Sequence, residues 1–361
     1  MRRSHLATGF SLLFALAGCD SNVIVTPTDG GSSGTTPPPP IGGSPAIGGS
    51  PTPEGGSPTE GGAPPIGGMG SGGEPQGGSG EPPLPCSDMV ATPAPFDQLF
   101  GFTSSEDFCF DNYGNYIGVD GNGNLVRITD DGFMSLWVPS VGSGSTAGMA
   151  ALPDGSVVIC DVGNGSLIRV YENGVVQTVL GGLLYPNGMD IGPDGYIYVA
   201  ENSDDRVRRV HPDTGEWTTA AEGMIGPNGV AFSDDPLVFY VGSFGGGVVY
   251  KVQLTDPTLP GTVTQFATGF QSGGLDGLGV DECGYVYVAE FGTGLVYRIT
   301  PQGVLSVLAD VPSSWIPNIK WGRGLGGFDR DVMYVADRNQ ASLFAMKINR
   351  AGATEYADSA P

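Results

Sequence analysis

Apolar and polar positions recur in a fixed order along this chain, with a period of about forty residues. Six segments carry the pattern: SEDFCFDNYGNYIGVD (105–120), TAGMAALPDGSVVICD (146–161), PNGMDIGPDGYIYVAE (186–201), PNGVAFSDDPLVFYVG (227–242), LDGLGVDECGYVYVAE (275–290) and IPNIKWGRG…VMYVAD (316–337). A period of this length predicts an array of identical supersecondary units. Within a unit, a short apolar segment leads into a tight turn such as LPDG 152–155, GPDG 192–195 or DECG 281–284. Asp, Pro and Gly supply the fixed and positive φ values that such turns need. An apolar strand follows (SVVIC, YIYVA, LVFYV, YVYVA), rich in the β-branched and aromatic residues that buried strands favour. After a Gly/Asn-rich loop, third strands read LVRIT, LIRVY, VRRVH and LVYRI. Their alternation of apolar and basic residues predicts one wet face. Outermost strands read FMSLWV, VVQTVL, WTTAA, VTQFAT and VLSVLA.

Four strands per unit and six units predict an all-β fold, a six-bladed β-propeller of four-stranded antiparallel blades. The last unit lacks an outermost strand of its own. Ala94–Phe100 (APFDQLF), just ahead of the first unit, is expected to fill that place and close the ring. No helical periodicity of any length is visible in this region. A β-sandwich is the alternative architecture, but it does not demand a strict forty-residue period.

The ends read differently. Arg2 and Arg3 precede an apolar run from Leu6 to Ala17, too short to span a bilayer as a permanent helix. The run closes on Leu16-Ala17-Gly18-Cys19, which resembles a bacterial lipoprotein signal. Residues 1–18 are then a signal peptide, and Cys19 is the lipidation site that anchors the exported protein to the cell envelope, on its periplasmic or outer-membrane face. Residues 19–85 are expected to be a tether. Between Gly30 and Pro85, 19 of 56 residues are Gly, 14 are Pro, and none is aromatic. Such a composition cannot bury enough apolar surface to offset the entropy of ordering it. Residues 86–361 form the propeller domain.

Charge narrows the function. A formal charge of -23, with no Lys or Arg between Arg3 and Arg127, repels phosphate backbones and excludes nucleic-acid binding. Four cysteines lie beyond Cys19. Cys86, at the junction of tether and domain, is placed to form a bridge, whereas Cys160, inside a strand, reads as a small buried hydrophobe.

The opening residues of the six units are Glu106, Ala147, Asn187, Asn228, Asp276 and Asn318. In a closed ring the innermost strands run along a central channel, so these openings meet at one mouth. Glu106, Asn187, Asn228 and Asp276 then make a set of hard oxygen donors, which selects Ca²⁺ over softer metals; Zn²⁺, Mg²⁺ and Mn²⁺ are the alternatives. Asn or Asp before Gly is also ordinary turn chemistry, and Asn318 reads as structural. Asp120, Asp161, Glu201, Glu290 and Asp337 end the second strands on the same face and read as turn groups that give the mouth a negative potential.

At these residues the chain resembles the SMP-30/gluconolactonase/LRE-like family of six-bladed propellers. PNGMDIGPDG and PNGVAFSDDP carry the likeness, and DGLGVDECGYVYVAEFGTGLVYRI reads as the family's fifth blade. The resemblance implies that Glu106, Asn228 and Asp276 bind the metal, and that Asn187 is a further ligand or substrate contact. It also implies hydrolysis of small lactones or esters, with a metal-activated water or Asp276 as the attacking or proton-accepting group. Two departures follow. Tyr185 stands where the sugar-lactone enzymes place an Arg, and the only histidines, His5 and His211, lie away from the site, which excludes a histidine-based mechanism. Tyr185, Met224, Phe244, Phe291 and Trp315 are expected on the loops around the mouth, where an apolar lining favours a hydrophobic lactone or aryl ester. A non-catalytic propeller that binds a ligand, glycan or envelope protein is the alternative function. The oligomeric state is left open.

Overall fold

The computed structural model describes Cys86 and residues 93–353. The expected signal peptide, the lipidated Cys19 and the tether over 19–85 lie outside the described residues. Twenty-four strands are arranged as six four-stranded antiparallel sheets. Five of the sheets are plain meanders. In blade three, for example, Pro186–Ile191, Ile197–Glu201, Arg206–Val210 and Trp217–Glu222 follow one another from the axis outward. The innermost strands of the other blades are Cys109–Phe110, Thr146–Ala151, Pro227–Phe232, Leu275–Val280 and Ile319–Trp321. Among the described residues the one helical turn is a 3-10 turn at Asn202–Asp204.

Blade six is built from both ends of the domain. Its own strands are Ile319–Trp321, Val332–Asp337 and Ser342–Lys347, and the outermost place is taken by Asp97–Phe100. That strand pairs antiparallel with Ser342–Lys347, from Asp97 opposite Ala345 to Phe100 opposite Ser342. The expected closure of the ring by the N-terminal strand is therefore what the chain does. Cys86 is disulfide-bonded to Cys283 in the DECG turn of blade five. The same turn receives the other end of the described chain, because the Glu282 amide donates to the Ala351 carbonyl at 3.0 Å. Among the described residues, Cys109 and Cys160 are buried thiols outside any disulfide.

The apolar core is divided into six clusters, each shared by two successive blades. The cluster between blades six and one is the aromatic one. Phe110 packs on Phe328 at 4.7 Å and on Tyr334 at 5.6 Å, and Phe108 stacks on Tyr116 at 5.1 Å. Third strands differ from expectation. Arg169, Arg208, Arg209 and Arg298 are buried, so these strands have no wet face. Several of these arginines fold over an aromatic ring and reach a carboxylate of the same blade. Arg209 lies 3.3 Å from the Tyr196 centroid and binds Asp194 at 2.6 Å, and Arg169 binds Asp154 at 2.7 Å. A planar guanidinium can stack and pair at once, which lets the charge enter a covered layer.

At the axis, backbone spacing decides the sequence. The innermost strands of blades two to five each carry a bulge at the opening residue and the glycine after it, as between Pro186 and Met189 or Leu275 and Leu278. A bulge re-aims a side chain out of the regular alternation. The glycines meet the backbone of the next blade. A Cβ on Gly148 would lie 2.2 Å from the Asn187 carbonyl oxygen, one on Gly188 2.5 Å from that of Asn228, and one on Gly229 2.5 Å from that of Asp276. The Asn-Gly and Asp-Gly pairs are thus bulges at the point of closest blade contact rather than turns. Gly229→Ala is expected to destabilise the protein by about 3 kcal/mol, because backbone cannot yield as a flexible side chain does. Gly181→Ala, where nothing lies within 4 Å of the added carbon, is expected to be near neutral in the same denaturant titration.

Candidate metal and substrate site

Glu106, Asn187, Asn228 and Asp276 line a single cavity at the axis, joined by Asp107, Asn318 and Lys320. Its free space is about 10 Å³, room for one water-sized body. Asn187, Asn228 and Asp276 are carried on the bulges, and Glu106 lies just ahead of the short first strand of blade one. Blade two contributes only Ala147 and Gly148 at this level, so the polar half of the ring belongs to blades one and three to six.

The cavity is crowded with negative charge. Burial pushes the Asp276 carboxyl well above the usual carboxylate range, and the neighbouring Glu106 and Asp107 push it further. Arg338 and a hydrogen bond from the Asn228 side chain act in the opposite direction. Burial also raises Glu106, against the pull of Arg338, and raises Asp107, against the pull of Lys320. Asp107 is tied down by three partners: it accepts from the amides of Phe108 and Met149, at 2.6 and 2.8 Å, and from the Asn318 side chain. Asn318 also packs against Gly277.

This donor set suits a hard divalent cation. Two carboxylates and two amide oxygens face an ion-sized space, and the mutual repulsion of the acids is a charge that such an ion would offset. No group of three or more His, Cys, Asp and Glu side chains converges on one point among the described residues. Any ion here would draw half of these four ligands from amides.

The predicted rim is brought together in part. Phe244 and Phe291 lie 6.1 Å apart and Phe291 stacks on Trp315 at 5.9 Å, a continuous aromatic wall outside the lining of the axial cavity. Its place is fixed by main-chain bonds, since the Phe291 amide donates to the carbonyl of Gly274, ahead of the Leu275–Val280 strand. Tyr185 is half exposed, at a φ of 58° that a non-glycine residue seldom adopts, and it leads directly into Pro186 and Asn187. Met224 is not at the rim. It is fully buried in the core between blades three and four.

The acids that end the second strands hold loops. Glu201 accepts from the Leu184 amide at 2.9 Å, and Glu290 from the Ser272 and Gly273 amides at 2.6 and 3.0 Å. Asp161 and Asp337 accept instead from the hydroxyls of Ser143 and Ser313. They fix the segments that deliver the opening residues to the axis.

Three site residues escaped the sequence reading: Asp107, Lys320 and Arg338. Arg338 forms an ion pair with Glu106. Its signal was present in the repeats, because VGSF, VAEF and VADR align Arg338 with Phe244 and Phe291. Asp107 and Lys320 have no equivalent in the other units and stand out only once the ring is closed.

Comparison with known proteins agrees with this architecture. Residues 198–339 match the SMP-30/Gluconolactonase/LRE-like region. A 6-deoxy-6-sulfogluconolactonase from Pseudomonas putida is 27% identical over 167 residues, 42% of this chain and 55% of that protein. The pentonolactonase XacC from Haloferax volcanii is 28% identical over 157 residues, 41% of this chain and 52% of that protein. The chain spans about half the length of these curated relatives. Among solved structures, a gluconolactonase from Xanthomonas campestris superposes with a TM-score of 0.60 at 20% identity, covering 70% of this chain and 89% of its own. A calcium-binding regucalcin from Agrobacterium tumefaciens gives 0.58 at 18%, covering 71% and 96%. At these identities the structural likeness is one of fold. The chain is a six-bladed β-propeller whose residues 198–339 are similar to the SMP-30/Gluconolactonase/LRE-like region.

Proposed function

We propose that this protein is a divalent-cation-dependent hydrolase of small lactones or esters, acting at the mouth of its central channel. The observation that carries the reading is the convergence of Glu106, Asn187, Asn228 and Asp276 on one ion-sized cavity beneath an aromatic wall. The names of the sequence relatives, both lactonases, support the substrate class. Hard oxygen donors favour Ca²⁺, and the calcium-binding regucalcin shares the fold. A cation bound here would polarise the substrate carbonyl.

Asp276 is the group assigned to the proton. It lies beside Asn228, and burial, followed by the nearby Glu106 and Asp107, raises its affinity for a proton, the direction that suits a general base. Its carboxylate takes a proton from water as the water oxygen bonds to the carbonyl carbon. The carbonyl carbon to ring-oxygen bond then breaks, and the proton passes to the departing alkoxide. Water, lactone and hydroxy acid balance without a further reactant.

Location belongs to the same proposal. The Cys86–Cys283 bridge supports an oxidising compartment, consistent with export to the cell envelope through the Cys19 lipid anchor. One observation favours the alternative of a non-catalytic binding module: Arg338 already neutralises Glu106 without any cation.

Two measurements separate these readings. Calorimetric titration with Ca²⁺ is expected to show one tight equivalent in the wild type that is lost in the Glu106→Gln/Asp276→Asn double variant. Identical titrations for the two proteins would leave the binding module as the better account. Asp276→Asn alone is expected to lower the turnover of lactones or aryl esters at least about 100-fold while the melting temperature stays within a few degrees. Undiminished turnover would remove Asp276 from the proton's path.

A further inference from the structure

We propose that Arg338 selects the substrate: its guanidinium reads a carboxylate-type anionic group on the lactone or ester, while Phe291 and Trp315 hold the apolar part. The inference rests on the hydrolase reading for the word substrate, but the recognition site stands on its own geometry. The cavity at the axis holds no more than an ion or a water, so a larger molecule must rest above it, against the rim. Three rim residues directly follow a second-strand end. In blades four and five that position is Phe244 and Phe291, and in blade six it is Arg338. One aromatic surface is therefore continued by one fixed positive charge.

Arg338 is held in place by its neighbours. Its amide donates to the Trp315 carbonyl at 3.0 Å. The Ser313 hydroxyl donates to Asp337 at 2.6 Å and accepts from the Trp315 amide at 3.3 Å. The guanidinium carbon lies 6.0 Å from the Trp315 ring centroid. Nη1 meets Glu106, and among the described residues no partner stands at the rest of the fork. The side chain keeps 34% of its exposure, so the open part of the fork faces an accessible rim. A guanidinium with free N–H groups binds a planar carboxylate through paired hydrogen bonds.

Electrostatics give this arginine its leverage. The chain carries a formal charge of -23, and Glu106, Asp107 and Asp276 stand together below the rim. An anionic molecule approaching this mouth is repelled unless a positioned cation receives it. The ion pair with Glu106 keeps the fork oriented, and a fork so held serves recognition.

The test uses the full chain with Ca²⁺ present and two probes that differ in charge, phenylacetate and 2-phenylethanol, followed by titration calorimetry. The wild type is expected to bind phenylacetate roughly tenfold more tightly than the alcohol, the margin of one charged hydrogen-bonded pair. Arg338→Gln is expected to abolish that preference and leave the affinity for 2-phenylethanol unchanged. Equal binding of both probes by the wild type, or a preference that survives in Arg338→Gln, would overturn the proposal. If Arg338→Gln does not fold, Arg338→Lys decides. It keeps the charge and loses the fork, so a preference reduced about threefold or more supports the assignment and an unchanged one contradicts it. Because the readout is binding, its result is distinct from that of the hydrolase proposal. A protein that binds no calcium and turns over no lactone, yet shows the Arg338-dependent preference, refutes the enzyme and keeps the recognition site.

Discussion

Close contact between neighbouring innermost strands at the axis is the constraint on which the rest of this structure depends. Gly148, Gly188 and Gly229 rest on the backbone of the following blade, and Gly277 rests on Asn318. No side chain fits in those gaps, so each position admits only glycine. The bulge that accompanies each contact turns the preceding residue toward the channel. One geometric requirement therefore yields both the packing of the ring and the inward set of Asn187, Asn228 and Asp276. Dipeptides that look like turn signals are the seams of a closed ring.

The fold was legible in the sequence because it is a repeat. Turn residues at fixed offsets and strands of constant length marked out the blades, and the missing outermost strand of the last blade pointed to Ala94–Phe100. The four candidate ligands were legible for the same reason, since they occupy equivalent positions. What the repeat could not show is what breaks it. Asp107 lies beside Glu106, ahead of a strand too short to look like the others, and its partner Asn318 is more than two hundred residues away. Lys320 reaches the cavity from the same distant blade. The buried arginines of the third strands misled the alternation argument. A charged residue in a strand was read as solvent-facing, whereas stacking on Tyr196 and pairing with Asp194 let Arg209 lie under cover.

The seam between blades one and six carries both stability and chemistry. The break in the chain falls inside blade six, where the Asp97–Phe100 strand pairs with Ser342–Lys347, and the chain runs on from that strand into blade one. Blades one and six are further held together by the aromatic cluster around Phe110 and Phe328, and by two polar links, Asp107 to Asn318 and Glu106 to Arg338. Both links end inside or beside the cavity. Glu106 thus couples the proposed cation site to the contact between blades one and six.

The same coupling explains why charge repulsion is tolerated at the axis. Three acids in a buried space oppose folding unless something offsets them. Lys320 lies close enough to pull Asp107 down, and Arg338 does the same for Glu106. Asp276 is fully buried, and burial first, then Glu106 and Asp107, raise its carboxyl well above the usual range, against the Asn228 side chain and the pull of Arg338. It stands at the point where Asn187, Asn228 and Glu106 also converge. A protein that needed this channel only as a structural axis would gain stability by placing an amide at position 276, as it does at 187 and 228. Retaining the acid there, against that electrostatic cost, is the physical argument for a site that handles a cation or a proton.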